Sequence, residues 1–129
     1  MQRQNFSSGG KREPVIGYSR SVRVGNQVFV SGCTAYGPDG ELVGRGDLYA
    51  QTRQVIDNIG RALALAGADL RHVVRTRIYV TDMDRWEEAA RAHGEAFGRI
   101  LPACTFLGVT RLVNPDMLVE IDADAVITD

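Results

Sequence analysis

The 129-residue sequence lacks several features that mark whole classes of protein. No apolar run approaches the roughly 18 residues that a bilayer-spanning helix needs, so no membrane partner is expected. The first ten residues contain no apolar segment of a secretory signal, and we therefore expect a cytoplasmic protein. No block of like charge occurs and the formal net charge is −1, which argues against a nucleic-acid partner.

Cysteine is scarce, and its two copies lie far apart in the sequence. Cys33 and Cys104 form no Cys-x-x-Cys pair, and neither has a metal-ligand spacing with His72 or His93. We therefore expect reduced thiols and no metal site. The chain is otherwise ordinary, with 44% hydrophobic and 24% charged residues, and its length predicts one domain over residues 1–129.

The N-terminal part of the chain predicts an arm followed by a hairpin. Residues 1–13 are polar and rich in glycine and serine, which is typical of a loose arm. Residues 17–24 and 27–33 alternate as strands on either side of a Gly25-Asn26 turn, and this pattern predicts a β-hairpin. A third short strand is an option at residues 41–43.

Two helices are predicted in the middle of the chain. The first begins near Asp47, a suitable N-cap, carries an apolar stripe from Val55 to Ala66 and stops at Gly67. Gly60 inside this helix is interpreted as the mark of a close packing contact. The second helix begins near residues 82–84, and its predicted apolar stripe consists of Trp86, Ala90, His93, Phe97 and Ile100.

Three further strands are predicted at residues 72–81, 101–112 and 117–127, with a turn at 113–116 joining the last two. In the first of them, Val74, Thr76, Ile78 and Val80 share one face, while Arg75, Arg77 and Tyr79 share the other. In the last strand, Val119, Ile121, Ala123 and Ala125 face one way, and Glu120, Asp122 and Asp124 face the other. Each of these two strands therefore has an apolar face and a charged face.

The order β-β-(β)-α-β-α-β-β predicts an α+β fold in which one mixed sheet carries both helices on one side. The other side of that sheet carries arginines, carboxylates and a tyrosine. A half-polar face with bulky side chains is often covered by another copy of the chain, so a homo-oligomer is expected.

Sequence segments along nearly the whole chain resemble the RidA family, also called the YjgF family. The segments that carry the resemblance are Gly17-Tyr18, Val22–Asn26, Val28–Gly32, Gln51–Gln54, Asp57–Ile59, Ala66–Ala68, Val73–Met83 and Leu118–Ala123. No segment alone is diagnostic, but together, in this order and at these separations, they are specific.

The resemblance implies a chorismate-mutase-like fold in a homotrimer, with the sheets lining a central barrel and small-molecule ligands bound in clefts between subunits. It implies hydrolysis of reactive imines or enamines to a carbonyl compound and ammonia, as a 2-iminopropanoate deaminase performs, with no metal or organic cofactor. Older descriptions of the family as endoribonuclease L-PSP fit less well, because the chain has no basic stripe for phosphate contacts.

Three site residues follow from the resemblance. Tyr18 matches the tyrosine that lines the cleft, and Gly32 matches the glycine whose backbone approaches the ligand. Glu120 matches the glutamate that positions the attacking water. Hydrolysis of a C=N bond needs water at carbon and a proton at nitrogen, and one carboxyl group can serve both steps.

Cys104 stands where the family has the arginine that binds the substrate carboxylate, and a thiol carries no positive charge. Ala90 replaces a family asparagine, and His93 replaces a nearby aromatic residue. Three interpretations of Cys104 remain open: a small apolar filler, a cleft altered for a different ligand, or a catalytic thiolate activated by His93. The function is correspondingly a deaminase of altered substrate range, a non-catalytic binding trimer, or a tailoring hydrolase or tautomerase.

Arg20 is a candidate replacement for the missing cation. It follows Tyr18 by two residues, so both side chains of a strand would point to the same side and Arg20 would bind an anionic ligand there. The alternative is a surface arginine that pairs with an aspartate or glutamate. Arg20 and His93 therefore join Tyr18 and Gly32 as candidate substrate-binding residues, beside Glu120 and Cys104 as candidate catalytic ones.

Overall fold

A computed structural model describes residues 1–128, which form one six-stranded sheet with its two long helices packed on one face. The strands are β1 (Arg3–Phe6), β2 (Ser21–Val24), β3 (Gln27–Cys33), β4 (Val73–Val80), β5 (Ala103–Gly108) and β6 (Val119–Val126), and the helices are α1 (Arg12–Ile16), α2 (Leu48–Leu65) and α3 (Trp86–Phe97). Two short 3-10 helices cover Leu70–His72 and Met83–Arg85. The strand order is β1-β2-β3-β6-β4-β5, and within residues 1–128 only the β4–β5 pair is parallel. The predicted α+β fold with a mixed sheet is confirmed.

The core lies between the sheet and the helices. Apolar side chains of the three central strands fill one side of it, namely Val28, Val30, Val73, Ile78, Val80, Val119, Ile121, Ala123 and Ala125. The buried stripe of α2 fills the other side with Leu48, Val55, Ile56, Ile59, Ala62 and Leu63. The strict alternation of β6 places its three carboxylates on the opposite face, as the sequence predicted.

Local signals in the sequence placed the hairpin and the main helix correctly. Strands β2 and β3 pair antiparallel around Gly25, whose φ of 61° is the left-handed conformation that glycine adopts without strain. The Asp47 side chain accepts a hydrogen bond from the Ala50 amide at 2.9 Å and caps α2. Gly67, with a φ of 80°, follows the end of that helix.

The predicted loose arm at residues 1–13 is wrong. Strand β1 pairs antiparallel with β2, so its backbone groups are hydrogen-bonded along the sheet edge. Helix α1 then begins at Arg12 and ends at Ile16, and the strand predicted from residue 17 begins only at Ser21. The optional strand at residues 41–43 reduces to a single bridge between Tyr36 and Leu42.

The apolar face predicted for β4 is correct except at its start. A register shift lies between Val73 and Arg75, so Val73 is buried and Val74 is 47% exposed. A bulge adds one residue to a strand and reverses the faces of the residues before it. Thr76, Ile78 and Val80 lie on the core face as predicted.

The stripe predicted for the second helix is partly correct: Phe97 is buried and Ile100 packs against the core, while Ala90 and His93 are half-buried. Residues 83–85 form a 3-10 turn, and α3 begins at Trp86. Ala89, Ala92 and Phe97 are the buried residues of α3, whereas Trp86 is 47% exposed and lies edge-on against Phe106.

The last two strands are not neighbours in the sheet. Strand β5 is parallel to β4 at the sheet edge, while β6 lies between β3 and β4 at the centre. Residues 109–118 therefore form a longer connection than the predicted turn at 113–116. A chain segment that joins two non-adjacent strands has to cross the end of the strand between them.

Gly60→Ala is expected to stabilise the protein by about 1 kcal/mol, because glycine lowers helix stability by that amount relative to alanine. The close packing contact predicted at Gly60 is wrong, since an added Cβ would meet only the Leu70 Cγ, at an ordinary 3.9 Å. Urea unfolding measures the change, and a loss of stability would contradict the prediction. Gly98→Ala is the matched control that should destabilise, because its Cβ would lie 2.7 Å from the Gly94 oxygen.

Candidate functional site

The face of the sheet that points away from the helices carries facing rows of charged residues. The β6–β4 register pairs Glu120 with Tyr79, Asp122 with Arg77, and Asp124 with Arg75. Side chains of directly opposed residues lie close enough to interact. The face therefore carries a row of three carboxylates on β6, which lies opposite a row of two arginines and a tyrosine on β4.

Two of the three carboxylates are neutralised within the chain. Arg77 Nη1 donates to Asp122 Oδ1 at 2.8 Å and to Asp124 Oδ2 at 3.4 Å, and Arg75 Nε lies 4.0 Å from Asp124. The Tyr79 hydroxyl donates to the second oxygen of Asp122 at 3.0 Å. The two arginines of β4 therefore pair with Asp122 and Asp124 of β6.

Glu120 is the carboxylate that remains. Among residues 1–128, no side chain or backbone group lies within hydrogen-bond or ion-pair distance of its oxygens. Burial and repulsion from Asp122 raise the pKa of Glu120, and the positive charge of Arg20 offsets this only in part. A raised pKa favours the protonated form of the carboxyl group, which suits a residue that takes up and releases a proton during a reaction.

Gly32 provides the space that the Glu120 side chain occupies. A Cβ atom at position 32 would lie 2.3 Å from Glu120 Oε2 and 2.9 Å from its Cδ, distances that real Cβ atoms do not reach. The register of β3 against β6 also shifts between Val30 and Cys33, so the chain is irregular there. A glycine in a strand interior often marks such a bulge or a close approach of another group.

Arg20 is held at this irregularity by uncharged partners. Its Nη1 donates to the Gly32 carbonyl at 2.9 Å and to the Cys33 sulfur at 3.1 Å, and its Nη2 donates to the Tyr18 hydroxyl at 3.1 Å. No aspartate or glutamate oxygen of the described chain lies within 4.0 Å of the guanidinium. Arg20 is therefore half-buried without an ion-pair partner, and the expected alternative of a surface ion pair is not what the structure has.

An open cleft brings four of the six sequence-predicted site residues together. Tyr18, Arg20, Gly32 and Glu120 all line it, and Glu13 of α1 lines it as well. The cleft lies where α1, the segment before β2, the irregular part of β3 and the first half of β6 meet. Their assignment as functional residues stays a prediction, but their proximity in one cleft is a property of the fold.

Cys104 and His93 lie outside this cleft. Cys104 is exposed on the edge strand β5, and within the described residues its thiol donates one weak hydrogen bond, to the Thr105 carbonyl at 3.9 Å. His93 Nε2 lies 2.9 Å from the Thr76 hydroxyl, and its ring packs on Phe97. Burial lowers the pKa of His93, which favours the neutral ring at pH 7. No hydrogen bond joins His93 to Cys104 within residues 1–128, so the proposed thiolate pair is not formed within one chain.

Two residues of the cleft region were missed in the sequence. Glu13 is buried, with Oε2 accepting a hydrogen bond from the Ser8 hydroxyl at 2.6 Å. Its backbone carbonyl accepts from the Tyr18 amide at 3.0 Å, which ties α1 to the cleft. The one sequence signal for Glu13 was an acidic residue within a glycine- and serine-rich segment, and that pattern is typical of solvated loops. Cys33 was predicted only as part of a strand. It lies in β3, and the bulge also places its sulfur beside the Arg20 guanidinium.

The described part of the chain has neither a cluster of metal-ligating side chains nor a helix that could span a membrane. No group of three or more His, Cys, Asp or Glu side chains is arranged to hold a metal ion in residues 1–128. Over the same residues, no helix combines the length and the apolar character needed to cross a membrane.

Residues 10–127 match the family model described as endoribonuclease L-PSP. The chain is 38% identical to a RutC family protein of Pyrococcus abyssi, covering 88% of each chain, and 32% identical to the 3-aminoacrylate deaminase RutC of Acinetobacter baylyi, covering 87% of this chain and 88% of that one. A crystal structure of a Mycobacterium tuberculosis member of the YjgF/YER057c/UK114 family superposes with a TM-score of 0.88 at 47% identity, covering 98% of this chain and 100% of the other. The Escherichia coli YjgF gene product superposes with a TM-score of 0.80 at 28% identity, covering 95% and 93%. The chain therefore belongs to the endoribonuclease L-PSP family, which is the YjgF, RutC or RidA family that its sequence resembles.

Proposed function

We propose that the protein hydrolyses a small imine or enamine to a carbonyl compound and ammonia, with Glu120 as the proton-transfer residue. The observation that carries the proposal is the isolated state of the Glu120 carboxyl group. It lines an open cleft beside Gly32, has no partner among residues 1–128, and has a raised pKa. A structural carboxylate would be paired, as Asp122 is with Arg77 and Tyr79.

The proposed reaction uses one carboxyl group twice. An enamine first takes a proton from solvent on carbon and becomes an iminium ion. Water then attacks the iminium carbon, a C–O bond forms, and the Glu120 carboxylate takes one proton of that water. The protonated Glu120 next gives this proton to nitrogen. The C–N bond breaks with its electron pair leaving on ammonia, and the hydroxyl loses its proton to solvent as the carbonyl forms.

The substrate class is supported by a relative. The Acinetobacter baylyi protein named 3-aminoacrylate deaminase is 32% identical over 114 residues, and 3-aminoacrylate is an enamine with a carboxylate. Cys104 replaces the arginine that the family resemblance places on β5, so we propose an altered substrate range.

The proposal includes a homotrimer in which the clefts lie between subunits and the reaction takes place in the cytoplasm. Strand β5 supports an assembly, because it is a sheet edge and exposes Leu107 at 47%. In such an assembly, exposed residues of β5, including Cys104, are available to complete the cleft of a neighbouring subunit. Sedimentation that finds a monomer at micromolar concentration would contradict the trimer.

A second candidate function is ligand binding without catalysis. The observation that favours it is Cys104, since loss of one preorganised electrostatic donor typically lowers a rate about 10²- to 10³-fold. The isolated Glu120 carboxyl group argues the other way, because capture of a ligand alone does not need an acid that transfers protons.

Cys104→Arg is expected to raise the rate of 2-aminoacrylate hydrolysis by about 10²-fold, because it restores a guanidinium for the substrate carboxylate. The measurement follows loss of enzymatically generated 2-aminoacrylate, with 3-aminoacrylate as a second substrate. Cys104→Ser is the matched control, since it changes the side chain without adding charge. If the parent protein, Cys104→Arg and a Glu120→Gln variant are all inactive on a panel of imines, the binding function replaces the catalytic one.

A further inference from the structure

Arg20 is held in place through both its backbone and its side chain. Its backbone amide donates to the Phe6 carbonyl at 2.8 Å, and its carbonyl accepts from the Ser31 amide at 3.1 Å. The residue is therefore anchored between β1 and β3, and its side chain reaches back over β3 to Gly32. A guanidinium held in this way is preorganised, so it loses little conformational freedom when it binds a ligand.

The charge of Arg20 is not matched by an anion within the described chain. Buried or half-buried charges in proteins are normally paired, and here the partners are carbonyl oxygens, a hydroxyl and a thiol. Guanidinium carries five N–H donors, and these contacts engage only the two terminal nitrogens. An anion in the cleft would meet a charged group that still has hydrogen-bond donors to offer.

Tyr18 adds a second donor at the same place. Its hydroxyl oxygen accepts a hydrogen bond from Arg20 Nη2 at 3.1 Å, so the hydroxyl hydrogen remains available to another acceptor. Arg20 and Tyr18 both line the cleft. A carboxylate has two oxygens, and this pair presents one charged and one neutral donor.

Gly32 links this pair to the reacting end of the cleft. Arg20 donates to the Gly32 carbonyl, and the Glu120 carboxyl group lies against the Gly32 Cα, where a Cβ would be 2.3 Å from Oε2. The two functional groups therefore flank a single residue. In a small enamine acid, one or two bonds separate the carboxylate from the carbon that water attacks, which fits such neighbouring subsites.

We propose that Arg20, with Tyr18, binds the carboxylate of the ligand from its own side of the cleft, at a position different from that of the arginine that Cys104 replaces. The ligand class is then a small carboxylic acid with its imine or enamine carbon near Glu120. The reaction at that carbon rests on the proposed function, whereas binding of the carboxylate at Arg20 does not.

The test compares pyruvate, a 2-oxo acid, with pyruvamide, its neutral isostere, in NMR titrations of the full chain. The parent protein is expected to bind pyruvate more tightly than pyruvamide. Arg20→Gln is expected to weaken pyruvate binding about 10- to 100-fold, the range of a charge-assisted hydrogen bond, and to leave pyruvamide binding nearly unchanged. Arg20→Lys is expected to keep part of the preference, because it retains the charge without the fork of donors.

Arg23→Gln is the matched control. Arg23 is also half-buried and donates to two carbonyls, those of Gly25 and Ala66, but it lies outside the cleft. Its replacement should leave the preference for pyruvate intact. If thermal unfolding shows that Arg20→Gln is not folded, the test depends on the pyruvate and pyruvamide titrations of Arg20→Lys.

Three results would overturn the inference: a parent protein without preference for pyruvate, an Arg20→Gln variant that keeps it, or an Arg23→Gln variant that loses it equally. Glu120→Gln separates the two proposals, since it should keep the preference for pyruvate while hydrolysis is lost. A preference that depends on Arg20 in a protein without hydrolysis would refute only the proposed function. Hydrolysis without such a preference would refute only the role of Arg20.

Discussion

Glu120→Gln is expected to lower the rate of imine or enamine hydrolysis about 10³-fold, because a positioned general acid–base typically contributes 10²- to 10⁴-fold. Glutamine has the same shape but can neither take up nor release the proton. The measurement is kcat on the best substrate of an imine panel, with the variant and the parent compared at the same pH. Glu41→Gln is the control, because Glu41 lines the same cleft as an exposed carboxylate. Full activity of Glu120→Gln would contradict the mechanism.

Glu120→Gln, which lowers the activity, is expected to keep or raise the free energy of unfolding. The pKa of Glu120 is raised in the folded protein, so above that pKa the folded state holds an ionised carboxylate that burial and Asp122 disfavour. The protonated Glu120 carboxyl group therefore contributes stability that is fully present at low pH. This stability is lost as the pH rises through the pKa of Glu120 in the folded protein. Glu120→Gln is expected to be as stable as the parent at neutral pH, or more stable.

The acid limb of the parent kcat/KM profile should lie above the titration range of an exposed glutamate.

Gly32→Ala is expected to reduce hydrolysis by about 10²-fold, because displacement of a catalytic group by about 1 Å can cost that much. The added methyl group would lie 2.3 Å from Glu120 Oε2, 2.9 Å from Cδ and 3.1 Å from Cγ, so the carboxyl group has to swing away. Gly32 has no left-handed backbone conformation, and alanine therefore adds no backbone strain. The measurement is kcat/KM together with urea unfolding, which separates loss of activity from loss of fold.

Gly60→Ala is the matched control, since it adds the same methyl group away from the cleft with only an ordinary contact at 3.9 Å. It should keep full activity. A Gly32→Ala variant with parental activity would mean that the Glu120 position in the cleft does not matter for the reaction.

Patterns with a local physical cause were predictable from the sequence. The alternation of β6 follows from the period of a strand, and the Asp47 cap follows from the side chain that an amide at a helix start requires. The register shift in β4, which buries Val73 in place of Val74, has no local signal. Pairing with β6 sets it, and that partner lies more than 40 residues further along the chain.

The residues of the candidate site were predictable from the sequence, but the hydrogen bonds and ion pairs among them were not. Glu120, Gly32, Tyr18 and Arg20 were all named from the sequence, and the fold brings them to one cleft. The sequence could not tell that Asp122 would be neutralised and Glu120 left alone, since both alternate on the same face of β6. Contacts across strands, such as Arg20 with Gly32, depend on a bulge that no residue pattern marks.

The placement of Cys104 on an edge strand and of Glu120 on a central strand has a consequence for how the cleft tolerates mutation. Cys104 is exposed and β5 hydrogen-bonds to β4 alone, so replacement of this side chain disturbs little of the packed core. Glu120 lies between two buried residues of the strand at the centre of the sheet, where neighbours on both sides constrain the backbone. One half of the proposed site can therefore change its chemistry at little cost to folding, while the half that transfers protons stays fixed by the core beneath it.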